Sequence, residues 1–86
     1  MTPTYPLVLV EWLDAHTVDP WTAFEELADA DTMACQTVGW LLKDTEKSVI
    51  VVPHRTTQEG SPFGSGAIEI PRGCVTRVYR LIDPRE

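Results

Sequence analysis

The chain has 86 residues, of which 43% are hydrophobic and 23% are charged, a composition typical of a globular protein rather than a disordered or fibrous one. The length predicts one small domain over residues 1–86. The net charge is −6, and duplex nucleic acid requires a concentrated basic patch, so we expect no duplex nucleic-acid partner.

The first residues, MTPTYPLVLVEW, place only a few apolar side chains before Glu11 and contain no basic segment. This pattern predicts neither a signal peptide nor a membrane span. Cys35 and Cys74 are too few for the disulfide framework of a small secreted domain. We therefore expect a cytoplasmic protein with no membrane partner.

The first predicted strand covers Leu7 to Asp14. Its residues favour β structure and place apolar side chains on both faces, as in a strand that is covered on both sides. A helix is predicted at about residues 20–29. Asp19 can cap its start and Pro20 suits its first position. Trp21, Phe24 and Ala28 would share one face of this helix.

Two β-rich runs, residues 34–43 and 48–53, flank the polar connection Asp44-Thr45-Glu46-Lys47, and they predict an antiparallel hairpin. Gly39 within the first run indicates a bulge, a sharp bend or a group packed close to the backbone. Residues 55–66 are rich in Gly, Ser and Thr and predict a mobile loop.

The last elements are a strand around Ile68 and Ile70, a one-turn break, and a final strand from Val75 to Ile82. Pro71 cannot donate a ladder hydrogen bond, so the segment Pro71-Arg72-Gly73 predicts a tight turn, often a 3₁₀ turn. The predicted core comprises Val8, Val10, Trp12, Phe24, Leu27, Val38, Leu42, Ile50, Val52, Ile68, Ile70 and Val78.

The strand order resembles the small SH3-like and Sm-like barrels, through IEIPRGCVTRV for the final strand-turn-strand and VGWLLKDTEKSVIVV for the central hairpin. The resemblance implies a mainly β fold, a five-stranded, strongly bent small barrel with one short inserted α-helix. The same runs are similar to those of short bacteriophage proteins of unknown function. That likeness implies a phage source, and so the host-cell cytoplasm, without implying an activity.

The candidate binding residues are Arg72, Arg77 and Arg80, with Trp40 and His54 as possible companions. Residues 1–42 contain no Lys or Arg, so positive side chains that bind an anionic group must come from residues 43–86. Arg72 is the first choice, because a tight turn is expected to leave its guanidinium free. The alternative is that the arginines protect an edge strand and balance surface charge. Arg77 and Arg80 would form one patch only across a bulge.

No metal, cofactor or catalytic residue is predicted. His16, His54, Cys35 and Cys74 lack the short spacings of structural zinc ligands, and no nucleophile motif is present. The loop GSPFGSG lacks the lysine of a phosphate-binding loop. Trp12, Trp21 and Trp40 are expected either in the core or at an interface.

Two functions remain open. The first is a non-enzymatic binding or assembly module, a phage-encoded accessory protein that contacts a phage or host protein and forms a homo-oligomer through β-strands. In a host-interference variant of this function, the acidic helical segment faces the host protein. The second is a small-ligand binder that sequesters an anionic, nucleotide-type signal between aromatic and arginine side chains.

Overall fold

The computed structural model describes residues 4–18 and 20–85, and its main feature is a five-stranded antiparallel sheet. The elements in chain order are β1 Leu7–Asp14, α1 Phe24–Leu27, β2 Met33–Asp44, β3 Ser48–Val52, β4 His54–Arg55, β5 Gly64–Ser65, β6 Ile68–Pro71, a 3₁₀ turn Arg72–Cys74, and β7 Val75–Arg80. The mainly β fold, the central hairpin and the tight turn before the last strand are confirmed.

The strands of the large sheet lie in the order β6-β3-β2-β1-β7, and β4 and β5 form a separate two-stranded sheet. The edge strands β6 and β7 are consecutive in sequence and are joined by the 3₁₀ turn. Within the described residues they do not pair with each other. Closure into a barrel therefore stays a prediction.

The core lies on one face of the sheet. Val8 and Val10 of β1 pack with Val49 and Val51 of β3 and with Ile70 of β6, and all five side chains are almost fully buried. Trp12, Leu41, Ile68, Cys74, Val75 and Val78 pack around them and are half-buried. The predicted core positions Val8, Val10, Val52 and Ile70 are buried.

The remaining differences in the core follow from strand register. Leu42 is exposed because β2 bulges between Leu41 and Lys43, which removes it from the regular alternation. Val38 is exposed because it pairs with Leu9 on the outer side of β1. Ile50 pairs with Lys43 and is half-buried, whereas its neighbours Val49 and Val51 face the core.

The predicted helix at 20–29 is shorter than expected. α1 contains four residues, and a helix of about one turn needs packing to be stable. Trp21 is fully exposed and Phe24 is 89% exposed, so the prediction that Phe24 is a core residue is wrong. Leu27 is half-buried, and Asp19, the predicted cap, lies outside the described residues.

Of the three alternatives predicted at Gly39, the structure shows a group packed close to the backbone. A Cβ atom at this position would lie 2.5 Å from the carbonyl oxygen of Val52 and 2.9 Å from a methyl group of Val51. Only a residue without a side chain allows the end of β3 to approach β2 this closely.

Candidate functional site

A cleft of about 330 Å³ lies beside the start of β1, with β4 and its following loop on one side and the chain after β7 on the other. We call it the arginine cleft. Its aromatic and charged lining residues are Tyr5, Trp40, Arg55, Arg80, Asp83 and Arg85. Three arginines and one aspartate give this lining a charge of +2, in a chain whose net charge is −6.

Arg55 and Trp40 both line the cleft and are stacked on each other. The guanidinium carbon of Arg55 lies 4.2 Å from the centroid of the Trp40 ring, within the range of a cation–π contact. Arg55 is held by the pairing of β4 with β5, in which it faces Gly64. A Cβ atom on Gly64 would lie 2.8 Å from a methyl group of Val52, so glycine allows β5 to lie against β3.

A smaller, mostly apolar depression of about 150 Å³ adjoins the cleft. Tyr5, Trp40 and Arg55 line both spaces. Pro62 also lines both spaces, and the depression adds the side chains of Leu42, Val52 and Phe63. A charged cleft and an apolar depression therefore meet at the Arg55–Trp40 stack.

The three arginines of the cleft differ in how they are engaged. Arg80 is exposed and forms no hydrogen bond or ion pair through its guanidinium within the part of the chain that is described. Arg85 donates from Nη2 to Asp83 Oδ2 at 2.7 Å and from Nε to Asp83 Oδ1 at 3.0 Å. These hydrogen bonds lower the pKa of Asp83 to about 2.

Arg72 is not free, so that premise of the sequence prediction is wrong. Its guanidinium forms an ion pair with Asp44, and its Nε donates to the Thr45 carbonyl oxygen at 3.0 Å. The Arg72 backbone N–H also donates to the Lys47 carbonyl oxygen. These contacts fasten the 3₁₀ turn to the β2–β3 turn, away from the arginine cleft.

The predicted candidates do not form one patch. Arg77 and Arg80 lie three residues apart in β7, and the register shift between β1 and β7 falls at Glu11/Trp12 rather than between these arginines. They therefore point to opposite faces. Arg77 lies over the Tyr79 ring at 4.9 Å on the outer face. His54 is exposed on β4 opposite Ser65 and does not line the cleft.

Arg55, Arg85 and Tyr5 are cleft residues that the sequence did not single out. Arg55 begins the segment 55–66, which the sequence predicts to be a loop. This segment contains the last residue of β4 and all of β5, and Thr56 and Phe63 within it are hydrogen-bonded to each other. Arg85 lies in the segment after β7. No periodicity or motif marks any of the three, although arginine after a β-run in an otherwise acidic chain was a usable signal for Arg55.

Among residues 4–18 and 20–85, no three His, Cys, Asp or Glu side chains are grouped so that they could hold a metal ion. The described helices are also too short to cross a membrane. Comparison of the chain with protein-family models, curated proteins and solved structures finds no match. The chemistry of the site therefore has to be read from its own residues.

Proposed function

We propose that the protein is a non-enzymatic binding module whose arginine cleft takes a small anionic ligand bearing a flat ring, the chemistry of a nucleotide. The observation that carries this proposal is that Arg55, Arg80 and Arg85 line one cleft together with the half-buried Trp40, on which Arg55 is stacked. Of the two functions left open by the sequence, this arrangement favours the small-ligand binder.

Charge supports an anionic ligand. The lining of the cleft carries +2 within a chain of −6, so a small anion is attracted to this part of the surface. Guanidinium groups present planar pairs of donors that match phosphate and carboxylate oxygens. Arg80 has such donors available, and Arg55 is already oriented by its contact with Trp40.

The adjoining depression supports a ring on the ligand. Its aromatic and aliphatic side chains, Tyr5, Leu42, Val52 and Phe63, line a space that shares part of its wall with the cleft. Small-molecule sites combine such apolar walls with a few placed polar groups, and they occupy about 300–1,000 Å³. The cleft lies at the lower end of this range, which suits a mononucleotide better than a larger cofactor.

The side chains of the cleft support binding rather than catalysis. Its described lining contains no His or Cys, and its carboxylate, Asp83, is hydrogen-bonded to Arg85 and has a pKa of about 2. General acid–base catalysis works best with a group that titrates near the working pH. Asp83 does not.

The finer fold assignment is also a proposal. An SH3-like or Sm-like arrangement is supported by the strand order β6-β3-β2-β1-β7 and by the 3₁₀ turn between the last two strands. It is further supported by the close approach of the end of β3 to β2 at Gly39. Val52 of β3 lines the depression that adjoins the arginine cleft.

Thermal unfolding with a ligand panel tests the function. A ligand that binds the folded state raises the melting temperature as its concentration rises. We expect nucleoside diphosphates and triphosphates to do so, and inorganic phosphate or a nucleoside without phosphate to have little effect. If no nucleotide shifts the melting temperature at about 1 mM, a concentration that detects even weak sites, the proposal is wrong.

A further inference from the structure

A second feature, independent of the arginine cleft, is the segment between β1 and β2. We call residues 15–32 the arm, and the structure describes it at 15–18 and 20–32. Trp21 is fully exposed, Phe24 is 89% exposed and Val18 is also exposed. Two large aromatic side chains a few residues apart with no cover are unusual on a small soluble domain.

The arm is a structured projection. The ring Nε2 of His16 is hydrogen-bonded to the carbonyl oxygen of Asp31, which joins the two ends of the arm. Backbone hydrogen bonds continue through Ala30. The described molecule measures 57 × 25 × 21 Å, with a radius of gyration of 16.8 Å, whereas a compact chain of this length would have about 12 Å. No strand packs extensively against α1 in the described residues.

The sheet carries an uncovered apolar face of its own. Leu9 pairs with Val38 on one side and Tyr79 on the other, so the three side chains form one row across β2, β1 and β7. Val38 is 49% exposed and Tyr79 is 39% exposed. Arg77 lies beside this row over the Tyr79 ring. We call these four residues the outer face.

The charges of the arm and the body are complementary. The arm contains five acidic residues and no Lys or Arg, and all seven Lys and Arg of the chain lie in residues 43–86. Within one copy, the arm extends away from the sheet. A second copy related by a two-fold axis offers an outer face with Arg77 to each arm, and both uncovered surfaces are then buried at once.

The apolar area is sufficient for such a pair. A buried aromatic side chain covers about 150–250 Å². Trp21 and Phe24 from two arms would bury up to roughly 600–1,000 Å². The partly exposed residues of the two outer faces add to this area, so the total approaches the lower end of the usual range for a stable interface, about 1,200–2,000 Å². We propose that the protein forms a two-fold dimer in which each arm packs Trp21 and Phe24 on the outer face of the other copy.

Sedimentation velocity and light scattering on the full chain test the proposal. At about 50 µM, above the micromolar limit expected for an interface of this size, we expect a dimer. The variant Trp21→Ala/Phe24→Ala should be a monomer with an unchanged melting temperature at low protein concentration, because both side chains are exposed in the single copy. Ile82→Ala, which removes an exposed apolar side chain outside the arm, should remain a dimer.

A substitution on the outer face provides a second, independent test. Val38→Glu places a negative charge where the acidic arm would lie, and it should give a folded monomer by circular dichroism. High salt should weaken the wild-type dimer, since its charges are exposed. A wild-type monomer at the same concentration would overturn the proposal, whether the arm folds back on its own chain or binds another protein. A dimer that survives the arm variant, as an edge-strand dimer would, also overturns it.

Discussion

Arg77 and Arg80 lie on the same strand, three residues apart, and their side chains leave opposite faces of the sheet. Arg80 reaches the arginine cleft, whereas Arg77 stacks on Tyr79 on the outer face. Each is exposed and each carries one positive charge. Removal of either changes the net charge equally, so the pair separates a local effect in the cleft from a general electrostatic one.

Arg80→Ala should weaken binding of a nucleoside triphosphate by roughly tenfold or more, because a hydrogen bond to a charged group contributes about 1.5–3 kcal/mol. Arg77→Ala should leave the affinity within about twofold, the size expected for a distant exposed charge. Calorimetric titration of both variants at one salt concentration measures the difference. Equal losses in the two variants would mean that the cleft is not the site.

Arg72→Ala should lower the free energy of unfolding by about 1–2 kcal/mol, since it removes an exposed ion pair and a hydrogen bond. Ligand affinity should not change, because Arg72 contacts Asp44 and Thr45 rather than the cleft. Urea unfolding measures the stability. The double variant with Asp44→Ala should cost little more than either single variant if the ion pair is responsible. A large loss of affinity with unchanged stability would restore Arg72 as a binding residue.

Gly39→Ala should be strongly destabilising, by about 1–3 kcal/mol or more. The new methyl group would meet backbone atoms of Val52, which cannot move without shifting β3. Gly73→Ala is the matched control, because nothing lies within 4 Å of the added atom and no positive φ is involved. Chemical unfolding of the two variants should show less than about 0.5 kcal/mol for Gly73→Ala. Similar costs at both positions would contradict the close packing at Gly39.

Asp83 should remain ionised until the pH approaches about 2. Its pKa in the folded state is lowered from the unfolded value of about 3.9, so any stability from its contact with Arg85 is present above about pH 4 and is lost as the pH falls toward 2. Titration of the side-chain carboxyl by NMR measures this. In Arg85→Ala the pKa should rise only part of the way toward the ordinary range, because the backbone N–H of residue 85 still donates to Asp83 Oδ1. An unchanged low value would show that the Arg85 side chain does not cause the shift.

The strands were predictable because their signals are local. β1 was predicted with its observed bounds, the central hairpin to within a residue at each end, and Pro71 correctly marked the break before β7. The core was only partly predictable. The burial of Val51 depends on the bulge in β2, which sets the register of β3. The burial of Val52 depends on Gly64, which allows β5 to lie against it. Alternation along one strand reveals neither dependence.

The site and the arm were harder to predict. Trp40 and Arg80, both predicted candidates, line the cleft. The premise that Arg72 is free is wrong, and local patterns do not reveal its partners, Asp44 and Thr45, which lie 27 or more residues away in sequence. The sequence predicts Phe24 in the core, and it places Trp21 either in the core or at an interface. An exposed helix face that binds a partner has the same apolar pattern as a buried face, and sequence periodicity does not distinguish these two cases.

Burial of β3 on both sides has a consequence for hydrogen exchange. Val51 packs in the core and Val52 packs under β5 beside the cleft, so one strand belongs to both regions. Amides in such a central strand open only in the largest unfolding events and exchange most slowly. Ligand binding in the cleft should therefore slow amide exchange at Val51 and Val52 as well as at the residues that contact the ligand. Exchange at Val51 would then detect binding although this core residue does not contact the ligand.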